Sequence, residues 1–241
     1  YNTFGEMPSV LSLSRRGPAQ IAVLEQALNR FVENYINAKG ANYKCILDLL
    51  VRGNPDLSKI KSGEKLIDET KNITDESIKV VKQMNNTCLS IQGPPGTGKT
   101  YNSAKIIIDL IKEGKKVGVS SNSHEAIKTL LSEIENQALA EKFEFKGMKK
   151  SSSTNLFEGK FIIDVIKDKP IDTKDFSLFA GTAWFFSNIR MNQKLDYLFI
   201  DEAGQVSLAN TIAMATSSKN LVLIGDQMQL SQPIRGTPVS Y

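Results

Sequence analysis

One short stretch constrains this chain more than any other: Gly93-Pro94-Pro95-Gly96-Thr97-Gly98-Lys99-Thr100, set between a brief apolar run and a helical pattern. It fits the phosphate-binding pattern GxxxxGK[ST]. The glycines let backbone N–H groups turn inward around an anion, and the helix that follows offers the positive end of its dipole. Lys99 is expected to reach the β- and γ-phosphates and the Thr100 hydroxyl to ligate Mg²⁺. The backbone N–H of Tyr101, in the first helical turn, completes the expected nucleotide-binding set. A glycine-rich turn without a ligand is the plainer alternative, and the strand before and helix after the loop weigh against it.

The rest of the chain repeats that strand-then-helix grammar. Apolar runs at 88–92, 116–120, 161–166, 177–180, 195–200 and 220–224 read as strands. Helical patterns at 104–111, 122–139 and 206–217 fall between several of them, the second opened by a capping-box-like Asn122 and Glu125. Strands alternating with helices predict an α/β fold with a mostly parallel sheet covered on both faces. Upstream, Ile21, Leu24, Leu28, Phe31, Val32 and Tyr35 recur at helical spacing until Gly40, with shorter helical patterns at 43–51 and 75–84. The expected division is therefore an arm and helical region over 1–85 and the α/β unit over 86–241. Residues 141–159 are charged and serine-rich and read as an exposed insertion, with Lys142, Lys146, Lys149 and Lys150 as a solvated basic run.

Two further strands end in polar residues. The run 195–200 stops at Asp201-Glu202, and a strand tip beside the loop is where a Mg²⁺-holding carboxylate belongs, here Asp201. Glu202 is placed to orient and deprotonate an attacking water. The run 220–224 stops at Gly225-Asp226-Gln227-Met228-Gln229-Leu230, where Gln229 can sense a γ-phosphate and Asp226 can anchor the loop. An ordinary surface loop is the competing account of this last motif.

Composition removes several classes. The 241 residues carry 41% hydrophobic and 23% charged side chains, which excludes wholesale disorder. No apolar run is long enough to span a bilayer, and the N-terminus lacks the basic and apolar regions of a secretory signal. The first residue is Tyr1 rather than Met, which points to a piece of a longer protein. Cys45 and Cys88 cannot scaffold a chain of this size and read as free thiols in a reducing cytoplasm. With His124 the one histidine and no CxxC, no zinc constellation exists. A net charge of +4 permits a nucleic-acid partner without demanding one.

Taken together, the loop preceded by Gln92, the DEAGQ of residues 201–205 and the GDQMQL of residues 225–230 resemble motifs I, II and III of superfamily 1 helicases. Residues 117–131, with Ser121-Asn122-Ser123-His124, resemble their motif Ia, and Gly181-Thr182 their following strand-end motif. The wording is closest to the helicase part of bacterial proteins that fuse a RecB-like nuclease to such a motor.

The resemblance implies a RecA-like domain that hydrolyses ATP with Mg²⁺ and grips single-stranded nucleic acid, DNA before RNA, through Ser121, Asn122, Ser123, His124 and Thr182. It also implies a second RecA-like domain beyond this chain and a nuclease domain upstream. Trp184, Phe185 and Phe186 offer either a base-stacking surface or, more plainly, core. One departure stands out: the glutamine such motors use to read adenine is missing from residues 73–80, where Ser77 occupies its place. Two rival classes remain, a P-loop ATPase of another kind and a nucleotide-gated binding module without unwinding activity. Against an ABC-type or GTPase reading, neither LSGGQ nor NKxD occurs.

Overall fold

Short apolar runs that alternate with amphipathic segments can bury themselves as strands between two layers of helix. A computed structural model shows that arrangement and describes residues 21–61, 63–94, 96–166 and 174–226. The helices are α1 (Ala22–Ala38), α2 (Lys44–Val51), α3 (Ile73–Lys82), α4 (Lys99–Lys112), α5 (His124–Ala140), α6 (Ala183–Ser187) and α7 (Leu208–Ala215). The strands are β1 (Cys88–Gln92), β2 (Val117–Ser120), β3 (Gly147–Lys150), β4 (Ile162–Val165), β5 (Leu178–Ala180), β6 (Leu195–Ile200) and β7 (Ser218–Gly225). They form one sheet in the order β1-β7-β6-β2-β5-β3-β4, parallel at every pairing.

Strand β6 shows why the sheet must be covered twice. Tyr197 and Phe199 enter the apolar layer shared with α3, α4 and α5, whereas Leu198 and Ile200 enter the layer shared with α1, α2, α6 and α7. Alternate side chains on a strand face opposite ways, so a strand apolar at every position needs a helix on each side. The N-terminal helices are part of this packing. Leu24, Ala27 and Phe31 of α1 bury against the second layer, and the Arg30 guanidinium donates to the Ser187 carbonyl at 2.7 Å. Cys45 is buried and Cys88 half-buried, both free, and burial pushes each thiol up to about 12.

Two expectations need correction. The segment expected as an exposed insertion contains β3, and Lys149, expected in a solvated run, has a side chain 0% exposed. Its ammonium donates to Ser151 Oγ at 2.7 Å and to the Asn155 carbonyl, with Asp164 Oδ1 at 3.8 Å. A buried lysine survives only with such partners, and here the surrounding polar chain folds back to provide them. The cap of α5 is Ser123, not Asn122: with its backbone extended, Ser123 Oγ accepts from the Ala126 N–H at 3.0 Å. Asn122 is left exposed one residue earlier.

Candidate nucleotide and nucleic-acid site

The strand order decides which motifs meet. Because β1, β7, β6, β2 and β5 are neighbours and parallel, their carboxyl ends fall in one row along a single edge of the sheet. That row carries in turn the glycine-rich loop, Gly225-Asp226, Asp201-Glu202, Ser121 with the start of α5, and Gly181-Thr182. Motifs separated by up to about a hundred residues thus become lateral neighbours. In open parallel sheets this crevice is where ligands bind.

The loop itself is built as its sequence requires. Gly96 and Gly98 adopt φ of 79° and 77°, a region open to glycine and costly for other residues. Gly98 caps α4, whose first residue is Lys99. The Lys99 ammonium donates to the Gly93 carbonyl and, at 2.7 Å, to the Pro94 carbonyl, while Thr97 Oγ1 donates to the same Pro94 oxygen at 2.8 Å. These bonds curl the loop around its own lysine. An anion in the loop can take over the ammonium hydrogens without moving the helix. Pro95 lies outside the described residues.

A cleft of about 550 Å³ opens beside the loop, lined by Gly96, Gly98, Lys99, Thr100, Tyr101, Asp201 and Glu202. Asp201 follows β6 directly, its N–H held by the Ser120 carbonyl at 2.8 Å. Burial, aided by the neighbouring Glu202 charge, holds its carboxyl above the usual range, while the Glu202 N–H and the Lys99 ammonium pull the other way. A hard-oxygen pair of Thr100 hydroxyl and desolvated Asp201 carboxylate suits Mg²⁺, which takes few protein ligands and completes its shell with phosphate and water. The described residues hold no group of three or more His, Cys, Asp or Glu able to cage a metal alone. Glu202 has a left-handed backbone, φ 51° and ψ 39°, at the turn that starts after Asp201. Strain of this kind gathers at functional sites. Gly225 and Ala203 touch across the ends of β7 and β6: a Cβ on Gly225 would lie 3.4 Å from the Ala203 nitrogen. Gln229 lies outside the described residues.

Farther along the row the two predicted backbone-gripping loops meet. Ser120 Oγ donates to the Gly181 carbonyl at 2.9 Å, and the Gly181 N–H donates to the Val119 carbonyl. Ser121 and His124 on one side and Thr182 on the other are therefore tied together. Ser121 Oγ and His124 Nδ1 are buried atoms with no hydrogen-bond partner. Burial, followed by the charges of Lys149 and Lys128, holds the imidazole of His124 below its usual value. Of the three aromatics that follow, Phe186 is core, Phe185 packs against that core, and Trp184 keeps 42% of its surface exposed. The cleft also includes Thr129, Glu133 and Gly225, which the sequence reading missed. The two from α5 reach it only by helix packing, for which no local motif exists.

Known proteins agree with this geometry. The profile of the family described as AAA domain matches residues 75–240. The DNA replication ATP-dependent helicase/nuclease DNA2 of Saccharomyces cerevisiae is 30% identical over 146 residues, 58% of this chain and 10% of that protein. The RecBCD enzyme subunit RecD of Buchnera aphidicola is 29% identical over 170 residues, 68% of this chain and 26% of the relative. The chain thus spans between a tenth and about a quarter of the length of these relatives. Among solved structures, the UvsW helicase of bacteriophage T4 overlaps with a TM-score of 0.45 at 14% identity, covering 84% of this chain and 70% of that one. That overlap is loose, and the fold rests on the strand order above. The chain belongs to the AAA-domain family, in its superfamily 1 helicase branch.

Proposed function

We propose that this domain, with residues 86–241 as a first RecA-like motor unit and 1–85 as its helical cover, binds ATP with Mg²⁺ and grips single-stranded nucleic acid as half of a helicase motor. The observation that carries the reading is the row of strand ends, which sets a phosphate loop and two carboxylates beside a pair of tied loops with unpartnered polar atoms. Loop N–H groups and the start of α4 hold the triphosphate, and Lys99 shifts from its own loop carbonyls onto β- and γ-oxygens. Thr100 and Asp201 hold the Mg²⁺, which when bound neutralises charge on the phosphates. Glu202 accepts a proton from the attacking water, and its turn, in contact with Gly225, passes a change at the γ-phosphate to the next strand end. Gln229 serves as γ-phosphate sensor on the strength of the motif alone.

Ser121, Asn122, Ser123, His124 and Thr182 meet the strand's sugar-phosphate backbone. We favour DNA over RNA because the relatives' names describe DNA replication and the RecBCD enzyme. A second RecA-like domain and, as in the relative named helicase/nuclease, a nuclease domain belong to the same reading of the whole protein. Lys99→Ala tests the nucleotide half. The lysine's partners lie within its own loop, so the variant is expected to stay folded and to lose tight MgATP binding in a titration with a fluorescent ATP analogue. Unchanged affinity in a folded variant contradicts the assignment.

A further inference from the structure

We infer that the Tyr101 ring is a stacking platform for the nucleobase of the bound nucleoside triphosphate. The inference rests on the nucleotide reading above and adds to it a base subsite. Tyr101 sits in the first turn of α4, two residues after Lys99, and lines the same cleft as Lys99, Thr100 and Asp201. Packing does not account for it. The buried face of α4 is made by Ser103, Ala104, Ile106, Ile107, Ile108, Leu110 and Ile111, whereas Tyr101 is 44% exposed and joins neither apolar layer. Side chains on a helix lean toward its N-terminus, so the ring leans toward the phosphate loop.

Its neighbour is Lys105, one turn along, with Nζ 5.1 Å from the ring centroid. That cation sits at the ring of a platform already open to the cleft. An exposed aromatic surface beside a triphosphate site is well suited to a planar base, which gains by covering it. Edge recognition is poorly provided for nearby. Thr74 Oγ1 donates to Asn102 Oδ1 at 2.6 Å, so the polar groups between α3 and α4 are engaged with each other. Ser77, in the place where a glutamine was expected, is too short to present an amide to a base edge. A ring reads the face that every base possesses, so the subsite takes nucleoside triphosphates with little regard to the base.

The test compares ligands that share phosphates and differ in the base. The affinities of MgATP, MgGTP and Mg-tripolyphosphate are measured by calorimetry on the 241-residue chain, on Tyr101→Ala and on Tyr101→Phe. Stacking on an aromatic ring predicts that Tyr101→Ala weakens ATP and GTP alike, by about tenfold, and leaves tripolyphosphate within about twofold. Tyr101→Phe should bind all three as the parent does. Alanine is the better helix former, so loss of the fold is not expected, and circular dichroism checks it. An equal effect on tripolyphosphate and ATP, or no effect on either, overturns the platform while leaving the phosphate loop in place. If the parent chain binds none of the three, the nucleotide reading itself fails and the inference goes with it.

Discussion

Asp201 is a residue on which stability and function pull apart. Burial and the adjoining Glu202 charge raise its carboxyl above the ordinary value. The folded state therefore keeps this proton at a pH where the unfolded chain has released it. On that sign, the group's contribution to stability falls as pH rises above the normal Asp range near 4 and is least favourable at neutrality. Asp201→Asn removes the buried charge. Without nucleotide the variant should melt about 2 °C or more above the parent at pH 7, with the gap narrowing toward pH 4, while Mg²⁺-dependent hydrolysis is lost. Differential scanning fluorimetry across that range checks it. A lower melting temperature at neutral pH contradicts the electrostatic account. Glu202 shows what sequence could not reveal here: its chemistry was legible from the paired carboxylates, but its left-handed backbone was not. Nothing in the residue type announces that conformation, because glutamate rarely adopts it.

At the scale of elements, legibility followed the source of each element's stability. Strands β1, β6 and β7 could be read because they are buried on both faces and so apolar at nearly every position. Strand β3 could not: Gly147, Lys149 and Lys150 look like surface, and only tertiary partners make a buried strand of them. The same region depends on Glu135 of α5, whose carboxylate accepts from the N–H groups of Lys160, Phe161 and Ile162 at 3.0, 2.8 and 3.1 Å. Asp164 does likewise for Phe157 and Glu158. The connection from β3 to β4 contains no helix among the described residues, so these carboxylates hold it in place of helix packing. Glu135→Ala leaves three backbone donors unpaired. It should cost about 3 kcal/mol, a fall of roughly 6–12 °C in melting temperature for a chain of this size. A fall under about 2 °C would show that water replaces the carboxylate without penalty.

For the whole molecule, the motif order in sequence translated into site geometry only through the strand order. The sequence supported a parallel sheet and five motifs, but their lateral sequence along the edge, with β7 and β6 between β1 and β2, is a property of the topology. The cleft among the described residues contains Lys99 as its one basic group and no arginine. An arginine supplied to such a site is worth about 10³–10⁵ in rate. The 241-residue chain alone should therefore bind ATP yet turn it over far below the roughly 10 s⁻¹ common among enzymes. A phosphate-release assay reads this directly, and turnover near that value contradicts it.

The central claim is that one sheet edge serves both nucleotide and nucleic acid, and binding of a labelled single strand tests it most directly. Fluorescence anisotropy at several salt concentrations is compared between the parent chain and the double variant His124→Ala, Thr182→Ala. Phosphates carry no sequence information, so binding should be weak and indifferent to sequence. With a net charge of only +4, few phosphates can be neutralised, and log affinity should fall shallowly with log salt, about −0.7 per phosphate contacted. The double variant should weaken strand binding at least several-fold and leave ATP affinity unchanged, since these two side chains lie outside the lining of the nucleotide cleft. No binding at low salt, or binding that the double substitution leaves untouched, contradicts the claim.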